Sequence, residues 1–162
     1  MKKYISIFLA ILMIITCSAP VTAFAADNTE DNAYFTQEEF ETFEHIYAVN
    51  ITPYTTGLIT DKNLGIAKDG AILKITGKTE GNSEVVKCGF TKVVIQRKKS
   101  SSTSWSNYKT YKDLYSDSTK YNLRKSITVE KGYQYRVTAT HYAKKSLLST
   151  QKIDSTTGSL TF

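Results

Sequence analysis

Residues 127–143 read Ile-Thr-Val-Glu-Lys-Gly-Tyr-Gln-Tyr-Arg-Val-Thr-Ala-Thr-His-Tyr-Ala. Ile127 and Val129 alternate with polar residues, then Tyr135, Val137 and Ala139 do the same, and Glu130-Lys131-Gly132 separates the two runs. A side-chain period of two on both sides of a glycine-containing turn predicts a strand, a tight corner and a second strand. Each run is apolar on one face only, so a second layer must cover it. The arrangement predicted is an all-β, two-sheet sandwich.

The rest of the chain supplies the other strands. Leu64 and Ile66, then Asp69-Gly70, then Leu73 and Ile75 predict a hairpin with its turn at Asp-Gly. Residues 78–83 are polar and read as a loop. Val86, Cys88 and Phe90 alternate, then Val93 and Ile95, with Gly89 marking a bulge between the halves. Residues 98–104, Lys-Lys-Ser-Ser-Ser-Thr-Ser, read as a hairpin loop, followed by a strand near 105–111 and irregular chain to about 120. Last come one or two strands in 150–162. The count is about seven, rich in Thr, Val, Ile and Tyr, and no internal repeat is visible.

Two segments precede this domain. Met1-Lys2-Lys3-Tyr4, an uncharged apolar run over 5–16, and Ala23-Phe24-Ala25 have the order of an export signal, with cleavage expected near Ala25 or Ala26. No later apolar run is long enough to span a bilayer. Cys17 opens a rival reading as a lipid-anchored protein, but Thr16 stands where the lipoprotein pattern places a small residue. Cleavage at Ala25 would leave about 137 residues, one domain's worth, with net charge +4 in place of +6. Cys88 would then be the only cysteine, excluding an intramolecular disulfide. The expected location is extracellular.

Residues 26–50 hold seven acids and no Lys or Arg, whereas 51–162 hold nineteen bases and eight acids, a net of +11. Within the acidic segment, Thr36 and Glu39 form a capping box, and Phe35 and Phe40 a hydrophobic staple. Phe40, Phe43, Ile46 and Tyr47 follow at helical spacing, which predicts an amphipathic helix over about 37–48, ended ahead of Pro53. Its apolar stripe and its charge predict docking on the sandwich near an open sheet edge.

Val129-Glu130-Lys131-Gly132-Tyr133-Gln134-Tyr135 resembles the corner between strands E and F of fibronectin type III domains. The resemblance implies that Tyr135 is a corner tyrosine whose hydroxyl bonds back to the upstream backbone, with Gly132 turning the chain; Lys131 replaces the family's usual proline. Immunoglobulin domains share the architecture but place a tryptophan between paired cysteines, which this chain lacks. Ile51-Thr52-Pro53, Ile95-Gln96-Arg97-Lys98, Trp105 and Lys131-Gly132-Tyr133-Gln134-Tyr135-Arg136 resemble a family of small secreted Gram-positive proteins. That resemblance implies the sandwich and no assigned activity.

Catalytic chemistry finds little purchase. Cys88 with His141 could form a thiolate pair, but neither lies in a protease-like context, and Cys88 reads better as core. His45 and His141 lack companions at metal-ligand spacing, and Asp61, Asp69, Asp113 and Asp117 share no motif. No phosphate loop, nucleophile elbow or cofactor fingerprint is present, so no metal or cofactor is expected. The positive feature is the grouping of Arg97, Lys98 and Lys99 with Trp105, Tyr108 and Tyr111, near Lys109 and Lys112. Cations beside aromatic faces suit a cell-wall polymer, a glycan or a protein partner; these residues would otherwise pack into the sandwich and solvate its outside. Nucleic acid is not expected of an exported protein. The expectation is a secreted, non-catalytic binding or cell-envelope interaction module, the alternative being a secreted hydrolase without a recognisable motif.

Overall fold

The computed structural model describes residues 35–49 and 57–162. The export signal, its cleavage site, Cys17 and the break at Pro53 lie outside the described residues.

A short helix, α1 (Gln37–Thr42), is followed by nine strands: β1 (Glu44–Tyr47), β2 (Ile59–Asp69), β3 (Ile72–Gly81), β4 (Lys87–Lys99), β5 (Ser106–Ser116), β6 (Lys120–Thr128), β7 (Tyr133–Lys144), β8 (Thr150–Thr156) and β9 (Leu160–Thr161). They form two antiparallel sheets. The first runs β1-β2-β3-β6, the second β5-β4-β7-β8 with β9 also on β7. The two-sheet all-β architecture is the one expected, with nine strands instead of about seven. The surplus comes from β1 and the two-residue β9, neither of which has a strand-like sequence of its own.

Alternation builds the core. Leu64 and Ile66 of β2, Leu73 and Ile75 of β3, Leu123 and Ile127 of β6, and Tyr135, Val137 and Ala139 of β7 all face the space between the sheets. In β4 both Phe90 and Val93 face it, although three residues apart. A register shift against β7 between Phe90 and Lys92 makes Thr91 the extra residue and restores the inward phase. Gly89, just before it, has φ +154°, and a Cβ there would collide with the Leu114 carbonyl oxygen of β5. Ile59, Val85, Cys88 and Ala143 extend the core at one end. Val86, expected to share the Cys88 face, is 55% exposed because β4 pairing begins only at Lys87 and Val85 turns inward in its place.

The expected helix over 37–48 is corrected to six residues. Its capping box is formed as read: Glu39 N–H donates to Thr36 Oγ1 (3.1 Å), and Thr36 N–H donates to Glu39 Oε2 (2.7 Å). Phe43, however, is extended at φ −93°, ψ 164°, and Glu44–Tyr47 pair with Gly65–Lys68 of β2. The open edge of β2 offers four residues a backbone ladder, and that tertiary pairing overrides the helical spacing of Ile46 and Tyr47. Phe35 and Phe40 then pack with Ala67 on the outer face of the first sheet. Docking beside a sheet edge is thus what the chain does.

Two other stretches are more regular than expected. β3 continues through 78–81, and β5 through 112–116, where Asp113 takes φ +55°.

Candidate functional site

Successive residues of a strand point to opposite faces, and this divides the six grouped residues. Arg97 lies opposite Tyr135 of β7, on the inner face. Its guanidinium carbon sits 4.7 Å from the Tyr108 ring and 4.6 Å from the Tyr133 ring, and it pairs with Glu130 at 2.7 Å. Tyr108 and Tyr111 pack against the core. Lys98, one residue on, projects from the outer face with Trp105, its Nζ 5.2 Å from that ring, while Arg136 of β7 stacks on the indole at 4.3 Å. Arg136 Nε–H also donates to Gln96 Oε1 at 2.9 Å. Lys99 is exposed at the strand end. Arg97 and Tyr108 therefore close one end of the sandwich, Tyr111 packs on the core opposite Val93 in mid-strand, and of the six only Lys98 and Trp105 share an outer surface.

The corner residues have structural partners. The Tyr135 hydroxyl donates to Glu130 O and accepts from Glu130 N–H, both at 3.1 Å. Gly132, at φ +85°, donates its N–H to Phe162 O at 2.6 Å.

Cys88 and His141 do not form a reactive pair. Burial pushes the Cys88 thiol up to about 11, and its Sγ donates to Thr79 O at 2.9 Å. His141 is fully buried, and desolvation, assisted by the nearby Lys62 charge, pushes it down to about 3. It belongs to a string no motif announced: Lys62 Nζ donates to Ser155 Oγ (3.1 Å), His141 Nε2 meets the same hydroxyl (3.1 Å), His141 Nδ1 meets Thr79 Oγ1 (2.8 Å), and Thr79 donates to Gly89 O (3.0 Å). A donor-only ammonium at one end and an acceptor-only carbonyl at the other assign the tautomer. Ser155 donates to Nε2, and the Nδ1–H donates to Thr79. Every member is satisfied within the protein. The string binds the two sheets together and commits both ring nitrogens of His141 to hydrogen bonds.

His45 is exposed and bonds Phe43 O through Nδ1 at 2.9 Å. Among the described residues no group of three His, Cys, Asp or Glu could hold a metal ion, and no helix is long and apolar enough to cross a membrane.

Two grooves remain. One, of about 290 Å³, crosses the outer face of the second sheet between Lys92, Thr138, Thr140, Asp154 and Thr156. There Thr140 Oγ1 already donates to Asp154 at 2.5 Å. The other, of about 360 Å³, lies beside α1 on the outer face of the first sheet. Gln37 organises its rim, donating to Tyr47 Oη (2.8 Å) and Glu41 Oε1 (3.0 Å) and accepting from Thr76 Oγ1 (3.2 Å). Lys78 in its wall is held by Asp61, with Glu80 at 3.4 Å, and the Asp61 contact raises its pKa. Asn63 Oδ1 and Arg124 Nε, also of this wall, are buried atoms with no hydrogen-bond partner in the protein. Sequence reasoning missed this groove because its residues come from α1, β1, β2, β3 and β6, and only the sheet order brings them together.

No protein-family model, no curated protein and no solved structure matches the chain.

Proposed function

We propose that the protein is an exported, non-catalytic binding module of the cell envelope that holds a hydroxyl-rich polymer, such as a wall glycan, in the groove beside α1. The observation that carries this reading is the pair of partnerless atoms there, Asn63 Oδ1 and Arg124 Nε. One can only accept and the other can only donate, and sugar hydroxyls can serve in either role. A buried polar group without a partner costs about 1–3 kcal/mol, so a ligand hydroxyl that satisfies either atom recovers that free energy. Gln37, Tyr47, Thr76 and Asn122 add further amide, phenol and hydroxyl groups. The export signal read in residues 1–25 and the resemblance to small secreted Gram-positive proteins support the envelope location. The burial of His141 and Cys88 supports a module that binds without cleaving.

The test uses the purified chain with fluorescein-labelled peptidoglycan. Retention without release of soluble label is expected, weakened about tenfold or more by Asn63→Ala or Arg124→Ala through the loss of one such bond. Absence of retention would end this reading, and release of labelled fragments would favour the hydrolase.

A further inference from the structure

The hairpin joining β7 to β8 ends in Ser146-Leu147-Leu148-Ser149. Its backbone is closed by Lys145 N–H to Ser149 O (2.9 Å), Ser149 N–H to Ser146 O (3.3 Å) and Ser146 N–H to Ser149 O (3.4 Å). Leu147 is 87% exposed and Leu148 fully so, and neither joins any of the three apolar clusters. Among the described residues only Asp113 and three glycines have positive φ, so both leucines take ordinary backbone angles that nearly any residue could adopt. The turn does not require leucine, and the core does not use it.

The surroundings carry a second feature that the fold alone does not call for. Lys87 and Lys144 stand directly opposite each other at the base of this hairpin, a like-charged cross-strand pair. Lys145 and Lys152 flank them, against two acids, Glu84 on Lys145 and Asp117 on Lys87. Exposed Val86 adds a third apolar side chain, its N–H bonded to Lys144 O at 2.8 Å. The Tyr115 and Tyr142 rings lie 5.1 Å apart, tilted at 53°, on either side of Gly89 on the same outer face, one pleat behind Lys87 and Lys144.

We infer that this hairpin tip docks on an anionic lipid bilayer, Leu147 and Leu148 entering the interfacial layer while Lys87, Lys144, Lys145 and Lys152 meet the headgroups. A convex apolar tip with a basic collar and tyrosines behind it has the layering of an interfacial anchor. A protein partner fits less well, because a specific interface covers about 800 Å² per side, far more than two side chains on a turn offer. This inference is independent of the groove beside α1, which lies on the other sheet.

A local probe isolates the tip from any effect of the apolar start of the chain. In a Cys17→Ser chain with Cys88 left buried, Ser149→Cys is labelled with nitrobenzoxadiazole and mixed with vesicles of 30% phosphatidylglycerol in phosphatidylcholine. A blue shift and a gain in intensity are expected. Leu147→Ser with Leu148→Ser should weaken the vesicle titration followed by this dye at least tenfold, given the transfer free energy of two leucine side chains. Vesicles of phosphatidylcholine alone should bind several-fold more weakly than the anionic ones. Unchanged emission on anionic vesicles, an unaltered titration in the double-serine chain, or equal binding to neutral lipid would overturn the proposal. Retention of labelled peptidoglycan by the double-serine chain should be unaffected, so this test and that of the groove fail separately.

Discussion

The hydroxyl of Tyr135 closes on the backbone of Glu130 from both sides, giving its proton to the carbonyl and taking one from the N–H, each at 3.1 Å. Residues 130–135 are thereby locked into the corner between β6 and β7. Phe162 and Tyr108 meet the same ring edge-on at 5.4 and 5.6 Å. Tyr135→Phe keeps the ring and removes the bonds, so the expected loss is about 1–2 kcal/mol, the worth of a partly buried hydrogen-bonded hydroxyl. Urea denaturation measures it, and a loss near zero would mean that the corner holds without the hydroxyl.

Acid should loosen the sandwich through His141. The His141 imidazole is pushed down to about 3 by burial, while in the unfolded chain it titrates near 6.5. Between these values the unfolded state holds a proton that the folded state refuses, so stability falls as pH falls through that window and is unaffected by this group above it. The total is on the order of a few kcal/mol. Urea midpoints should drop from pH 7 to pH 5, and His141→Gln, less stable at pH 7, should show a flatter profile. A wild-type midpoint constant across that range would contradict the assignment.

Phe40 is the peg that holds α1 to the first sheet. It is fully buried, its ring 6.0 Å from Phe35 and 5.8 Å from Tyr47. Phe40→Ala should cost about 3–5 kcal/mol at this site, but the cluster is separate from the main core, so the arm should open locally. Hydrogen exchange of the Ala48 N–H, bonded to Leu64 O at 2.8 Å, should speed up at least about a hundredfold, with β4 and β7 amides unchanged. Peptidoglycan retention should fall with it, because α1 carries Gln37 and Glu41 of the groove wall. Equal acceleration throughout β4 and β7 would show that the arm and the sandwich unfold as one unit.

The corner and the β2–β3 hairpin are legible because each is written in a period of two with glycine at the turn, and the inner residues of β4 because two such runs meet at the bulge beside Gly89. The end of α1 is not. Phe40, Phe43, Ile46 and Tyr47 suit a helical stripe, and what makes Ile46 and Tyr47 a strand is the free edge of Ile66 and Gly65. The Arg97–Tyr111 group is divided for a related reason. Its members are neighbours in sequence, but the pleat separates Arg97 from Lys98, and a register shift between Ile95 and Gln96 sets which of Tyr108 and Lys109 faces in. Neither the groove nor the Lys62–Ser155–His141–Thr79 string has a local signal, since each is assembled from strands distant in the chain.

Ala48 donates its N–H to Leu64 in the first sheet and forms an isolated antiparallel bridge with Thr157 beside the second. A residue near the front of the described chain is thereby the clasp for one near its end. Closing that loop costs entropy that is recovered only when both sheets stand. Whatever emerges first, whether from a ribosome or through a membrane pore, must wait with its apolar faces open until β8 arrives. A nascent chain cut off before Thr150 would have no partner for the clasp and would keep the unpaired edge of β7 available to neighbouring chains. For this molecule the hazard of aggregation is concentrated in the interval before synthesis or transport is complete.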